Sequence, residues 1–416
     1  MISPFSTRPY VRSAAAEIQA QTLRSAVAMV NGTPCKRGLA AVPDELFQWE
    51  ILVRLPAKEL LRCRLVCRSW CRLASDAHHS RQPSLPLVFF RAMGNEYTAH
   101  AAVDALDIRR TPAARRPVLA YEDYNYTRRN FTFHASCDGL ILISFTSHRF
   151  YLCNPATRQW CTLPDLTGGN VAALYPHHLS GEYRILHWKR PNKSDDVVYY
   201  VLTVGQKQRC IGLPVASSSM KKDRSCWHLH ACHHPPVLLH DCLHWYTVNA
   251  FEGKIVIFDT LAESFRWIQS PTASSSAHLL QMDGTLGIGQ IDVGTMTTKA
   301  WVLRDYKAEV WSSKYSTQLP ESQMQSYQML RYDNYVECLY GKVVSENGDM
   351  LLISRNRWSQ TLFHCDSKGE LIENFVWSYI DPKVLGLCFK QSLVRHVFFE
   401  RKDGKHVKLP RFLQGL

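Results

Sequence analysis

At 416 residues the chain is longer than one compact core ordinarily holds, so two or three domains are expected. A hydrophobic content of 46% with 11 Trp excludes large-scale disorder, and apolar runs such as Pro86 to Phe90 and Leu140 to Ile143 fall far short of the roughly twenty residues that span a bilayer. The 14 Cys are scattered and follow no secretory segment, which reads as the reduced thiols of a soluble cytosolic or nuclear protein; the formal charge of +13 is dispersed in short clusters, Arg109-Arg110, Arg115-Arg116 and Lys221-Lys222.

Residues 1–40 are poor in acid, with Glu17 alone against Arg8, Arg12, Arg24, Lys36 and Arg37, and Ala14 to Val30 can form a weakly amphipathic helix. That composition mimics an organellar transit peptide, but a disordered extension is the preferred reading, and Met29 is a possible alternative start. From Val42 to Asp76 the pattern turns helical. Pro43, Asp44 and Glu45 have the composition of a helix start, because Pro surrenders no hydrogen bond in a first turn and carboxylates there face the positive end of the helix dipole. Phe47, Ile51, Leu52 and Leu55 make one apolar stripe, which Pro56 closes. A second helix from Ala57 carries Leu60, Leu61 and Leu65, and a third carries Val66, Ser69, Trp70 and Leu73. So small a unit cannot bury those leucines alone, so part of its surface should face a partner. Cys63, Cys67 and Cys71 recur every four residues there and read as small buried apolar residues rather than metal ligands.

Pro43-Asp44-Glu45-Leu46, Glu50-Ile51-Leu52, Arg54-Leu55-Pro56-Ala57-Lys58, Leu60-Leu61-Arg62 and Val66-Cys67-Arg68-Ser69-Trp70 resemble the F-box of plant F-box proteins. The resemblance implies docking on the Skp adaptor of an SCF ubiquitin ligase, and through it cullin, by Pro43, Leu46, Phe47, Ile51, Leu52, Leu55, Pro56, Leu60, Leu61, Val66 and Trp70. Two departures stand out. Between Glu45-Leu46 and Glu50-Ile51 the chain is one residue longer than the family's pattern, which turns Phe47 rather than Leu46 to the docking face, and Asp76-Ala77-His78-His79 replaces the usual Asp-Pro ending.

After a linker at Arg81 to Ser84, short β-branched or aromatic runs bounded by Gly, Pro, Asn or Asp predict strands. They fall at Leu87 to Phe90, Phe131 to Phe133, Leu140 to Phe145, Arg149 to Leu152, Val197 to Val204, Lys254 to Phe258, Thr298 to Leu303, Met350 to Ser354 and Leu362 to His364. A loose repeat orders them. Cys137-Asp138-Gly139-Leu140 opens a strand pair that ends at Asn154-Pro155 and Trp160; Asp241 to Trp245, Asp259 and Trp267 repeat it, as do Asp283-Gly284, Thr298 to Trp301 and Trp311. Asn347-Gly348-Asp349 with Asp366 gives a weaker fourth copy. Hairpins with a tight turn at one end and Trp at the other suit the blades of a β-propeller, six to eight in number, with a β-sandwich as the alternative. Cys137 to Pro164 and Leu243-His244-Trp245 also resemble the F-box-associated, kelch-like domain that follows the F-box in plant families, which implies a substrate-recruiting domain.

The expected class is therefore multidomain α and β: a disordered extension at 1–40, a three-helix F-box at 41–80, a linker at 81–84 and a mainly antiparallel all-β domain at 85–410. Cys226, His228, His230, Cys232, His233, His234, His240, Cys242 and His244 have the inventory of a zinc site but not its spacing, so no metal or other cofactor is expected. No G-x-S-x-G elbow or phosphate loop nominates a catalyst, and Gly287-Ile288-Gly289 lacks the third glycine of a dinucleotide site. The resulting expectation is a non-catalytic substrate receptor of nucleus and cytoplasm that binds a Skp adaptor and an unidentified protein substrate and has no membrane partner. Tyr121, Tyr124, Tyr126 and the His228 to His234 stretch are candidate substrate anchors. The alternative is a basic propeller that binds nucleic acid or another polyanion beside a degenerate F-box.

Overall fold

The computed structural model describes residues 62–63, 83–92, 99–123, 131–145, 149–190, 197–212, 229–230, 235–247, 253–324, 338–355, 359–378, 380–394 and 396–399. The chain divides into two units, Met1–Ile51 and Leu52–Leu416, and every described residue belongs to the second.

Six antiparallel four-stranded sheets make up that unit. The first contains β1 (Leu85–Ala92), β2 (Ala99–Asp107) and β3 (Ala114–Asp123). The second runs β4 (Phe131–Cys137), β5 (Leu140–Phe145), β6 (Arg149–Asn154) and β7 (Gln159–Thr162). In the third are β8 (Asn170–His177), β9 (Glu182–Lys189), β10 (Val198–Thr203) and β11 (Gln208–Gly212). The fourth has β12 (Val237–Leu239), β13 (Cys242–Thr247), β14 (Lys254–Asp259) and β15 (Ser264–Gln269). Next come β16 (Ala277–Met282), β17 (Thr285–Asp292), β18 (Thr297–Asp305) and β19 (Val310–Gln318), then β20 (Cys338–Val343), β21 (Met350–Arg355), β22 (Ser359–Cys365) and β23 (Leu371–Ser378). The last strand, β24 (Ile380–Phe389), returns to the first sheet and pairs with β1 from Leu85↔Phe389 to Ala92↔Ile380.

Six apolar clusters show how the sheets are arranged. Each is shared by two sequence-adjacent sheets, and the sixth joins Leu351 and Ile353 of β21 to Val88 and Phe90 of β1, so the series closes on itself. That is a six-bladed propeller. It also explains why the strands read as continuous apolar runs: side chains alternate between faces, and here both faces are buried. In β14, Ile255 and Ile257 enter the cluster shared with the fifth blade, while Val256 and Phe258 enter the one shared with the third.

The ring corrects the expected fold class. Among the described residues helix is limited to Arg62–Cys63, one turn at 321–324 and two 3-10 turns, Pro164–Leu166 and Val397–Phe399, so the described protein is nearly all β. The reason is the period-two division of apolar residues between neighbouring clusters, which leaves the buried surface to sheets. The expected three-helix unit is not seen, and its helices at 44–73 lie outside the described residues apart from Arg62 and Cys63, of which Cys63 is buried. Six separate sheets likewise replace the sandwich alternative.

The repeat has a local cause. Asp138-Gly139, His240-Asp241 and Asp283-Gly284 all have positive φ at both positions and join strands through two-residue turns, the twist that antiparallel hairpins favour. At the next turn on the same end, Asn154, Asp259, Asp305 and Asp366 accept backbone N–H groups two to four residues on, so a short side chain holds the bend. Trp160, Trp267 and Trp311, on the outer strands that follow, pack on the cluster shared with the preceding blade.

Candidate functional site

Antiparallel order places the turns between first and second and between third and fourth strands at one end of the ring, and the connections between blades at the other. The short-turn end carries most of the charged geometry. In the β2–β3 hairpin, Asp107 is fully buried and accepts from Arg109 Nε at 2.8 Å and Arg116 Nη2 at 2.7 Å, with Arg110 Nε at 3.6 Å. Burial alone would raise its carboxyl pKa, but the hydrogen bond from Arg109 and the three guanidinium charges outweigh it and hold the group below its usual range. Arg115 binds Asp104 at 2.5 Å and stacks over Phe90. The two arginine pairs seen in the sequence therefore meet because the hairpin brings them together.

A second ion-pair network joins the third and fourth blades. Arg209 grips both oxygens of Glu263, whose other neighbour, Arg184 Nη1, is 3.4 Å away; Arg184 also reaches Glu182, which accepts from Gln206 at 2.9 Å. Beside it, His244 and His240 converge on Tyr306 with ring centroids 5.7 Å and 6.1 Å away. Arg266 donates to the Tyr306 hydroxyl at 2.9 Å, so the hydroxyl spends its own proton on His244 Nε2 at 2.6 Å, and His244 Nδ1 donates to the Val237 carbonyl at 3.1 Å. Burial pushes His244 down to about 4 and Tyr306 up to about 12, as a neutral relay requires. The four-residue spacing of His240 and His244 thus serves a tyrosine, a partner the sequence pattern did not reveal, and both nitrogens of His244 are engaged. Cys226, His228, Cys232, His233 and His234 lie outside the described residues, and His230 packs edge-on against Trp188 at 5.2 Å.

Of the candidate substrate anchors, Tyr121 is core: it is buried in the cluster of the first two blades and stacks on Phe131 at 6.0 Å. Tyr124 and Tyr126 lie outside the described residues, as do all eleven expected adaptor contacts, Pro43, Leu46, Phe47, Ile51, Leu52, Leu55, Pro56, Leu60, Leu61, Val66 and Trp70. One grouping has the composition of a hydrolytic triad but not its geometry. Ser345 Oγ donates to Asp349 Oδ2 at 2.6 Å and His364 Nε2 is 3.8 Å from Asp349 Oδ1, so serine and histidine both turn to the carboxylate and the serine lacks a base.

The profile of the F-box associated beta propeller domain matches residues 106–399, most of the ring just described. The chain belongs to that family. A second profile, F-box-like, matches residues 39–85 ahead of the propeller. Among curated Arabidopsis thaliana proteins, F-box protein At5g49610 is 25% identical over 291 residues, covering 66% of this chain and 78% of the relative. F-box protein At3g07870 is 22% identical over 371 residues, covering 79% and 86%. Both resemblances read from the sequence therefore hold, and the chain is a plant F-box protein with an F-box-associated propeller.

Proposed function

We propose that this protein is the substrate-receptor subunit of an SCF-type ubiquitin ligase. The observation that carries the reading is the order of modules: an F-box-like segment at 39–85 followed by a closed six-bladed ring, in a chain similar to plant F-box proteins along most of its length. The F-box segment binds a Skp adaptor and, through it, cullin; the propeller holds a protein substrate. No bond-making residue is contributed. Holding substrate lysines near a charged ubiquitin-conjugating enzyme replaces a bimolecular encounter by a tethered one, which raises the effective concentration of the reacting groups. Nucleus and cytoplasm are where such an assembly acts.

The polyanion alternative finds less support. The clustered arginines at 109, 110, 115, 116, 184 and 209 all have carboxylate partners, which neutralise part of the field a polyanion would use. The test is a pull-down of the full chain with purified Skp adaptor, beside a variant with Leu60, Leu61 and Trp70 changed to Ala. Binding by the unaltered chain and its loss in the variant, with the far-ultraviolet dichroism of the propeller unchanged, is the expected result. Failure of the unaltered chain to bind any Skp homologue overturns the reading.

A further inference from the structure

The turn between the third and fourth strands is held in four blades by one short side chain, Asn154, Asp259, Asp305 or Asp366, which accepts backbone N–H groups. Asp107 stands at the same place in the first blade, yet among the described residues its carboxylate is bonded to arginines instead. Arg109 grips it through Nε at 2.8 Å and Nη2 at 3.0 Å, Arg116 Nη2 lies at 2.7 Å and Arg110 Nε at 3.6 Å. Asp104 holds Arg115 on the same hairpin. One guanidinium per carboxylate would satisfy both acids, so Arg109 and Arg110 are a surplus that the turn does not require. The acids lie inside and the bases outside. The Asp107 and Asp104 side chains are 0% and 8% exposed, whereas those of Arg109 and Arg110 are 57% and 66% exposed. The carboxylates that neutralise part of this field therefore do not cover it, and they fix its geometry: a guanidinium forked on a buried carboxylate loses less freedom when a partner arrives. Glu373 of β23 also approaches the hairpin, but its carboxylate accepts the Ala113 N–H at 2.8 Å, and even with it the local charge stays positive.

We propose that the β2–β3 hairpin is a docking surface for an acidic segment of a protein partner, with Arg109 and Arg110 as the contacts. A surplus this small and this localised suits a few carboxylates on one stretch of chain, whereas a nucleic acid is held by a longer row of cations matched to its phosphates. Exposed, pre-oriented arginines are also the side chains that anchor protein interfaces. Calling the partner a substrate rests on the receptor reading; the docking itself does not, and its test uses the full chain without adaptor.

Fluorescence anisotropy with a labelled peptide of alternating Glu and Ala, its Gln-for-Glu isostere and a thymidine oligonucleotide of the same charge reads both the charge requirement and the class of partner. The wild-type chain is expected to prefer the Glu peptide to the Gln peptide by roughly ten-fold or more at low salt, and the preference to shrink as salt is added. Arg109→Gln with Arg110→Gln should remove most of that preference. Lys299→Gln with Lys368→Gln, an equal loss of charge at exposed positions of the fifth and sixth blades, should keep it. No binding of the Glu peptide, equal affinity for the two peptides, or the same loss in both double variants overturns the proposal. Tighter binding of the oligonucleotide than of the Glu peptide overturns it in favour of nucleic acid. Should the arginine double variant not fold, Arg110→Gln alone decides, because its guanidinium comes no nearer Asp107 than 3.6 Å. It should weaken the preference by roughly three-fold, and an unchanged preference overturns the proposal.

Discussion

Buried histidines make the ring acid-sensitive, His187 and His244 among them, with His134 also held down to about 4 by burial. Burial holds His187 and His244 down to about 4, against an unperturbed 6.5. Their folded values lie below the unfolded one, so their contribution to stability is complete above pH 6.5 and is lost as pH falls from 6.5 towards 4. At about 1.4 kcal/mol per unit, the loss is on the order of 2–3 kcal/mol for each fully buried ring. Urea midpoints recorded between pH 7.5 and 5 should fall accordingly. The two differ in what else they do. Among the described residues His187 makes no hydrogen bond within 3.5 Å, the Gln208 side chain being its polar neighbour, and it stacks on Tyr200, so His187→Leu should cost little at pH 7 and exceed the wild type in stability at pH 5. Because His244 accepts from Tyr306 and donates to the Val237 carbonyl, His244→Leu leaves the half-buried Tyr306 hydroxyl without an acceptor and that carbonyl without its donor, and should destabilise at both pH values by about 1–3 kcal/mol. A flat wild-type profile would rule out both assignments. Glycine offers a matched contrast at this scale. Gly139 and Gly284 both have positive φ, but a Cβ at 139 would meet Ser392 Cβ at 2.5 Å and its backbone N at 2.8 Å, whereas at 284 nothing lies within 4 Å. Gly284→Ala should cost about 1 kcal/mol, the left-handed penalty alone, and Gly139→Ala more than about 2 kcal/mol; equal costs in urea titrations would show that the close approach is not felt.

Outside the first blade, whose outer strand β3 buries Val118 and Leu119, the middle strands are deeply buried and the outer strand is largely exposed. Phe258 of β14 is fully buried, with Tyr175 and Phe265 rings 6.5 Å and 4.8 Å away, while Val310 of β19 is 51% exposed. Truncating Phe258 to Ala should cost about 3–5 kcal/mol and Val310→Ala less than about 0.5 kcal/mol in urea unfolding; similar values would contradict the ring packing. The same division explains what was legible in the sequence. Strands buried on both faces announce themselves as apolar runs, and all nine predicted runs overlap observed strands. Blades whose hairpins close with Asp-Gly and whose next turn carries Asn or Asp announce their repeat. The third blade was missed because its first turn, 178–181, is longer and places glycine alone at positive φ, at Gly181. The first was missed because its inner strand comes from the other end of the domain. Sites were less legible than strands for a related reason. Tyr306 meets His244 across 62 positions, whereas spacing rules report only neighbours along one element. In sequence Tyr121 reads equally as a substrate anchor or as core, because aromatic residues at a strand end serve both, and the structure places it in the core.

At the scale of the whole molecule, closure is the decisive event, and β24 performs it. It pairs along the full length of β1 and sends Val384 into the cluster of the sixth and first blades and Leu385, Leu387 and Phe389 into that of the first and second. Beyond it, Ser392 accepts from Asn154 Nδ2 at 3.0 Å and Phe399 enters the cluster of the second and third blades, so the returning segment touches three blades in succession. A propeller lacking this strand keeps five complete sheets, yet it exposes one edge of β1 and opens two of the six inter-blade clusters. An unpaired strand edge beside open apolar surface is a template for association between chains. A chain ending at Ser378 should therefore elute from a sizing column as large aggregates and lose cooperative unfolding. Phe389→Ala in the full-length chain should keep the monomer but lose about 3–5 kcal/mol. A truncated chain that remained monomeric with an unchanged urea midpoint would show that the blades stand without the ring.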